Sequence, residues 1–182
     1  MYAGIFVGGR SARMGRTKAL LEAPSGSTLV EHWVALARAC GATPLIVGQR
    51  DDVPPIVEVV EDAAHDAGPL AGLVALLERA RGGRALAVAC DMPFVEGALL
   101  RRLIDAPGAG ALAPRREGVW EPLFARFDAD TALPVARERL ARRQLSLQGL
   151  LEQLDVTELV LSAAEARQLD DWDRPEDLTR SR

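Results

Sequence analysis

Near the N-terminus an apolar run, Tyr2-Ala3-Gly4-Ile5-Phe6-Val7, breaks into Gly8-Gly9-Arg10-Ser11-Ala12-Arg13-Met14-Gly15-Arg16-Thr17-Lys18 and returns to Ala19-Leu20-Leu21. That order reads as a buried strand over 3–7, a loop sized for phosphate, and a second entry into the core. Gly8 and Gly9 let the backbone approach a ligand with no Cβ in the way, and amides of such a loop can converge on an anion. Arg10, Arg13, Arg16 and Lys18 fall within nine residues of a chain whose formal net charge is -4. Concentrated positive charge in an acidic protein predicts one specific anionic ligand rather than adhesion to nucleic acid. Lys18 is also the only lysine, a compact point charge where every other basic side chain is a planar arginine fork. Gly8 to Arg13 lacks the third glycine of a dinucleotide fingerprint, and Gly15 to Ala19 lacks the Gly-Lys-Ser/Thr ending of a P-loop. A solvated Gly/Arg surface loop is the plainer alternative.

Only 4% of residues are aromatic although 48% are hydrophobic, so Ala, Leu and Val must carry the packing. This favours helices laid closely on a sheet of small and branched residues, and 182 residues suit one domain over 1–182. Cys40 and Cys90 sit in small apolar contexts and read as reduced, buried thiols. With no secretory leader and no apolar run of about 18 residues, a cytoplasmic protein without a membrane partner is expected.

Along the chain the periodicity predicts a helix over 28–40, a strand over 43–47, a further strand over 56–60, and a helix entered through Pro69 with Leu70, Leu73, Val74, Leu76 and Leu77 on its apolar face. Gly72 inside that helix costs about 1 kcal/mol relative to Ala, which calls for close packing or ligand access. A central strand over 84–90 runs into Asp91-Met92-Pro93-Phe94, followed by a helix over 96–104 and a strand over 108–113. The stretch 118–127 reads as a strand with an awkward proline, 131–143 as a helix with Pro134 in its first turn, 147–154 as a short helix and 156–161 as a late strand. The early strands are separated by helix-length or loop-length segments rather than hairpin turns, which predicts a mostly parallel, Rossmann-like sheet in a three-layer α/β/α arrangement.

Acidic residues remain in three places once the helices are removed: Asp62, Asp91, and Asp171 with Asp173. A carboxylate at the C-terminal end of a central strand lies where open α/β sheets place ligands. Should strands one and four be neighbours, Asp91 would meet the Gly/Arg loop, and Mg²⁺ between carboxylate and phosphates would reconcile the two charges. A helix cap or an Arg101 partner is the structural alternative for Asp91, and solvated charge is the alternative for Asp171 and Asp173.

Phe6-Val7-Gly8-Gly9-Arg10-Ser11-Ala12-Arg13-Met14-Gly15-Arg16-Thr17-Lys18, Asp62 with Gly68-Pro69-Leu70-Ala71-Gly72, Cys90-Asp91-Met92-Pro93-Phe94, and Glu121-Pro122-Leu123-Phe124 occur in that order. Together they resemble the nucleotidyltransferases that make the guanine dinucleotide form of the molybdenum cofactor, within the superfamily of sugar-phosphate and cytidylyl transferases. The resemblance spans essentially the whole chain. It implies the nucleotide-diphospho-sugar transferase type of fold, GTP and molybdopterin as substrates, Mg²⁺ as cofactor, and transient contact with proteins that insert molybdenum or accept the product. Gly8, Gly9, Arg13 and Lys18 would hold the triphosphate, the backbone from Val7 to Gly9 with Asp62 would meet guanine, and Asp91 would bind Mg²⁺ with Asp173 as a second ligand. Phe6-Val7 replaces the family's Leu-Ala, aspartates at 171 and 173 replace two asparagines, and Glu121 stands where Gln is frequent. The open alternatives are a cytidylyl or other small-phosphate transferase of the same fold and a nucleotide-binding regulatory protein without turnover.

Overall fold

The computed structural model describes residues 1–7, 18–48 and 52–172. Its central sheet contains β1 (Tyr2–Phe6), β2 (Thr43–Val47), β3 (Val59–Val60), β4 (Arg84–Ala89), β5 (Ala111–Ala113), β8 (Phe124–Asp128) and β9 (Val156–Glu158), in the order β3-β2-β1-β4-β8-β5-β9. Strands β3, β2, β1 and β4 are mutually parallel, and Phe6 lies opposite both Val47 and Ala89. Only β8 runs against its neighbours, so the sheet is mixed but mostly parallel.

Alternation along the strands makes two cores. Ala3, Ile5, Val7, Ile46, Leu86 and Val88 point to the face covered by α1 (Leu29–Ala39) and α3 (Gly97–Asp105). Phe6, Leu45, Val47, Ala85 and Ala87 point to the face covered by α2 (Gly68–Arg79), α4 (Ala129–Ala141) and α5 (Leu147–Leu151). The period of two thus sends a different residue set into each helical layer, giving the expected α/β/α sandwich. The second face is lined with alanines under a leucine-rich α2, which is how a chain poor in aromatics packs closely. A Cβ at Gly4 would lie 2.5 Å from Leu76 Cδ2, so α2 rests almost on the β1 backbone.

Local signals set the helix boundaries. Thr28 and Glu31 form a reciprocal capping box at the start of α1. The same Ser-x-x-Glu device, Ser162 with Glu165, opens α6 (Ala163–Gln168), a helix the apolar periodicity alone does not announce because none of its residues is buried. Arg126 is 2% exposed, and its guanidinium donates to the carbonyls of Leu103, Ile104, Ala106 and Gly108 at the end of α3. Burial is the chief cause lowering its pKa, and the carbonyl cage satisfies its donors instead of a carboxylate.

Several expectations change: the strands over 108–113 and 156–161 contract to Ala111–Ala113 and Val156–Glu158, the helix over 147–154 contracts to Leu147–Leu151, and Cys40 is partly rather than fully buried. The strand expected over 56–60 contracts to Val59–Val60, after the proline pair that precedes it. The stretch over 118–127 is two strands: β7 (Val119–Trp120) forms a separate hairpin with β6 (Arg115–Arg116), and β8 enters the main sheet only after Pro122. Pro134 lies inside α4 rather than in its first turn, because Asp128 caps the helix two residues earlier than expected.

Candidate active site

Sheet order carries the site. From β1 the chain crosses first to β2 on one side and later to β4 on the other, so the C-terminal ends of β1 and β4 border a topological switch point. Val7, the residue after β1, is 5% exposed and its amide donates to the Val47 carbonyl at 3.3 Å. Cys90, the residue after β4, donates its amide to the Phe6 carbonyl at 3.2 Å, tying both exits together. Asp91 follows immediately, outside the last pairing.

Lys18 opens a short 3-10 turn, Lys18–Leu20, anchored by buried Ala19. Its ammonium Nζ lies 3.2 Å from Asp91 Oδ2, and the two side chains are 15% and 23% exposed. Residues 73 positions apart are thus brought into direct contact. Such a pair is accessible enough to exchange partners, yet sheltered enough for its field to act on an anion at the strand ends. Arg101 reaches the Ala39 carbonyl, so the Asp91 to Arg101 pairing does not form. The helix after Asp91 is capped at Glu96, so Asp91 is not its cap.

Asp62 follows β3, on the far side of β2 from β1. Its residue is exposed, but the carboxylate turns toward the sheet: a Cβ at Gly72 would lie 2.9 Å from Oδ1, and one at Gly48 would lie 3.7 Å away. Loss of water around it raises the pKa above the ordinary aspartate value, and His65 pulls it back in part. Gly72 is therefore explained by packing, since its Cβ would also meet Val47 Cγ1 at 2.6 Å and Phe6 Cε1 at 3.1 Å. Phe6 itself is 6% exposed and packs with α2 residues, so the added bulk before the glycines is spent in the core.

The other side is closed by the Glu121 motif and the C-terminal segment. Ala89 donates to the Leu123 carbonyl, and Phe124 and Glu121 are fixed by turns to Glu121 and Pro114. Glu121 is half-buried; burial raises its pKa, Arg116 opposes the rise, and Asp171 adds to it. Trp172 donates its amide to the Asp91 carbonyl at 3.0 Å and meets Phe94 edge-on at 5.9 Å. It is 4% exposed and packs with Ala23 and Leu29 beyond the Lys18 turn. Its signal in the sequence is a lone large aromatic between Asp171 and Asp173, an improbable residue in a solvated acidic end.

Gly8, Gly9, Arg13 and Asp173 lie outside the described residues. Among the described residues no three His, Cys, Asp or Glu side chains are grouped to hold a metal, and no helix is long and apolar enough to cross a membrane. The Asp91 carboxylate is a hard oxygen donor with an accessible face. Mg²⁺ needs only one or two protein carboxylates when substrate phosphates complete its shell, so this donor set fits that ion.

Residues 3–159 match the MobA-like NTP transferase domain. The chain belongs to the MobA-like NTP transferase family. It is 37% identical over 190 aligned positions to a probable molybdenum cofactor guanylyltransferase of Opitutus terrae, covering 98% of this chain and 93% of that one. It is similar in fold to molybdopterin-guanine dinucleotide biosynthesis protein A of Archaeoglobus fulgidus, with a TM-score of 0.81 at 23% identity over 100% of this chain and 96% of the other. A 2-C-methyl-D-erythritol 4-phosphate cytidylyltransferase of Thermus thermophilus has the same fold, with a TM-score of 0.68 at 20% identity over 98% and 95% of the two chains.

Proposed function

We propose that this chain is a molybdenum cofactor guanylyltransferase, a single domain acting in the cytoplasm that transfers GMP from GTP to molybdopterin and releases pyrophosphate. The observation that carries the reading is Lys18 held 3.2 Å from Asp91 at the β1 and β4 ends, in a chain of the MobA-like family. The terminal phosphate of molybdopterin attacks the α-phosphorus of GTP in line, a phosphorus-oxygen bond forms, and the bond to the β-phosphate oxygen breaks. The incoming phosphate is already a competent nucleophile, so the protein supplies positioning and charge neutralisation rather than a covalent intermediate. Asp91, with Asp173, would hold Mg²⁺, which supplies electrostatic polarisation of the α-phosphoryl group when bound.

Lys18 exchanges Asp91 for the nucleotide phosphates and, with Arg13, steadies the departing pyrophosphate. The loop at Gly8 and Gly9 offers amides to the triphosphate. Asp62 accepts from guanine N1-H and N2-H₂, beside the backbone at Val7. Burial of Phe6 beneath Gly72 in one core layer and of Val7 in the other favours the guanine assignment over a pocket narrowed for a pyrimidine. Proteins that insert molybdenum or accept the finished cofactor would be transient partners. Purified molybdopterin, Mg²⁺ and GTP should give the guanine dinucleotide and an equal amount of pyrophosphate, while folded Asp91→Asn gives neither. Pyrophosphate release that does not depend on molybdopterin would overturn the acceptor assignment.

A further inference from the structure

Arg116 lies in the β6–β7 hairpin rather than in any of the four motifs, yet it makes the contacts that join three parts of the site. Its Nη1 donates to the Leu169 carbonyl at 2.6 Å, its Nη2 donates to Asp170 Oδ1 at 2.7 Å, and Nη1 stands 3.7 Å from Glu121 Oε1. The hairpin that presents it is braced: the Arg115 guanidinium stacks 3.9 Å from the Trp120 ring centroid, and Gln148 donates to the Trp120 carbonyl. Two residues beyond Asp170, Trp172 bonds the Asp91 carbonyl and wedges between Phe94 and the Ala23 and Leu29 cluster. Leu169, the residue whose carbonyl Arg116 holds, is itself fully buried.

We propose that Arg116 is a positioning residue of the transfer reaction: by clamping 169–170 to the hairpin it fixes Trp172 on the Asp91 turn, and so fixes the Asp91 carboxylate opposite Lys18. The proposal rests on the nucleotidyl-transfer reading for its catalytic consequence, but the clamp itself is a property of the chain. Charge-assisted hydrogen bonds to a half-buried guanidinium are strong enough to hold a short terminal segment that has little core of its own. A lysine keeps the charge and loses the two-pronged geometry that reaches Leu169 and Asp170 together. The polar contacts of Arg116 are to Leu169, Asp170 and Glu121, so its loss should leave nucleotide binding largely intact while misplacing Asp91.

The test compares wild type, Arg116→Met and Arg116→Lys, with Arg137→Met at the exposed Arg137 to Glu78 ion pair as a surface control. Amide hydrogen exchange without any substrate should be about tenfold faster in peptides containing Trp172 and Asp91 of Arg116→Met, intermediate in Arg116→Lys, and unchanged in the control. With the nucleotide that wild type uses, kcat should fall about tenfold in Arg116→Met while its KM stays within about threefold. Unchanged exchange at Trp172 would overturn the clamp, and faster exchange with unchanged kcat would overturn its role in positioning. A uniform rise in exchange across both core layers would reduce Arg116 to general stability and equally refute the proposal. Wild type failing to use GTP would bear on the guanylyl reading, whereas the exchange comparison judges Arg116 by itself.

Discussion

Replacing Gly72 with Ala sets two effects of similar size against each other. Ala in a helix interior is worth about 1 kcal/mol more than Gly, so propensity alone predicts stabilisation. The new Cβ, however, would lie 2.6 Å from Val47 Cγ1, 2.9 Å from Asp62 Oδ1 and 3.1 Å from Phe6 Cε1. Val47 is β-branched and 1% exposed, and Phe6 is 6% exposed, so neither can swing into open space. Overpacking of this kind costs about 1–3 kcal/mol, which outweighs the propensity gain by about 1 kcal/mol at the middle of that range. For a chain of this length such a loss lowers Tm by about 2–4 °C. Asp62 is the one neighbour free to yield, and its displacement should reduce the preference for GTP over CTP. The assay is a urea melt at constant slope together with catalytic efficiency for both nucleotides. A Gly72→Ala protein more stable than wild type, with its nucleotide preference intact, would refute the packing argument and the placement of Asp62 as a base contact together.

Three further outcomes are expected. Lys18→Ala should lose about 3 kcal/mol of transition-state stabilisation, on the order of a hundredfold in rate; steady-state rates within threefold of wild type and an unchanged far-UV spectrum would remove Lys18 from the phosphate site. Because burial raises the pKa of Asp62, its carboxylate protonates at higher pH than an ordinary aspartate; the GTP over CTP preference should therefore decline with falling pH before that of an exposed carboxylate would, and Asp62→Asn should flatten the profile. Glu165 is held at about 2 by Arg102 and then by the Ser162 cap, below its ordinary 4.5. A depressed folded pKa means stabilisation that is present above about 4.5 and lost as pH falls toward about 2; Glu165→Gln should cost less than about 1 kcal/mol near pH 7, with the difference in urea midpoint shrinking by pH 3.

Strands β1 and β4 were readable in the sequence as short continuous apolar runs, because helices cover both faces of the sheet and the connecting segments are long. Pro93 and Asp91 marked the end of β4, and the four ordered motifs pointed to the family. What could not be read locally depends on contacts distant in sequence. Arg116 looks like one arginine among many until the 169–170 carbonyl and carboxylate meet it. The division of 118–127 into a hairpin strand and a sheet strand follows from partners at 115–116 and 84–88, which local propensity does not encode. Asp62 was legible as a loop acid, but the burial of its carboxyl beside Gly72 required α2 to lie on β1 and β2.

A competition between nucleotides decides whether guanine is the base transferred. Wild-type protein given equal GTP and CTP, Mg²⁺ and molybdopterin, with the products separated by mass, should yield the guanine dinucleotide in at least roughly tenfold excess, because a cytosine leaves Asp62 and the backbone with unmatched hydrogen-bonding groups worth about 1–3 kcal/mol. A predominant cytosine dinucleotide would overturn the guanylyl assignment and the role of Asp62 as a guanine contact.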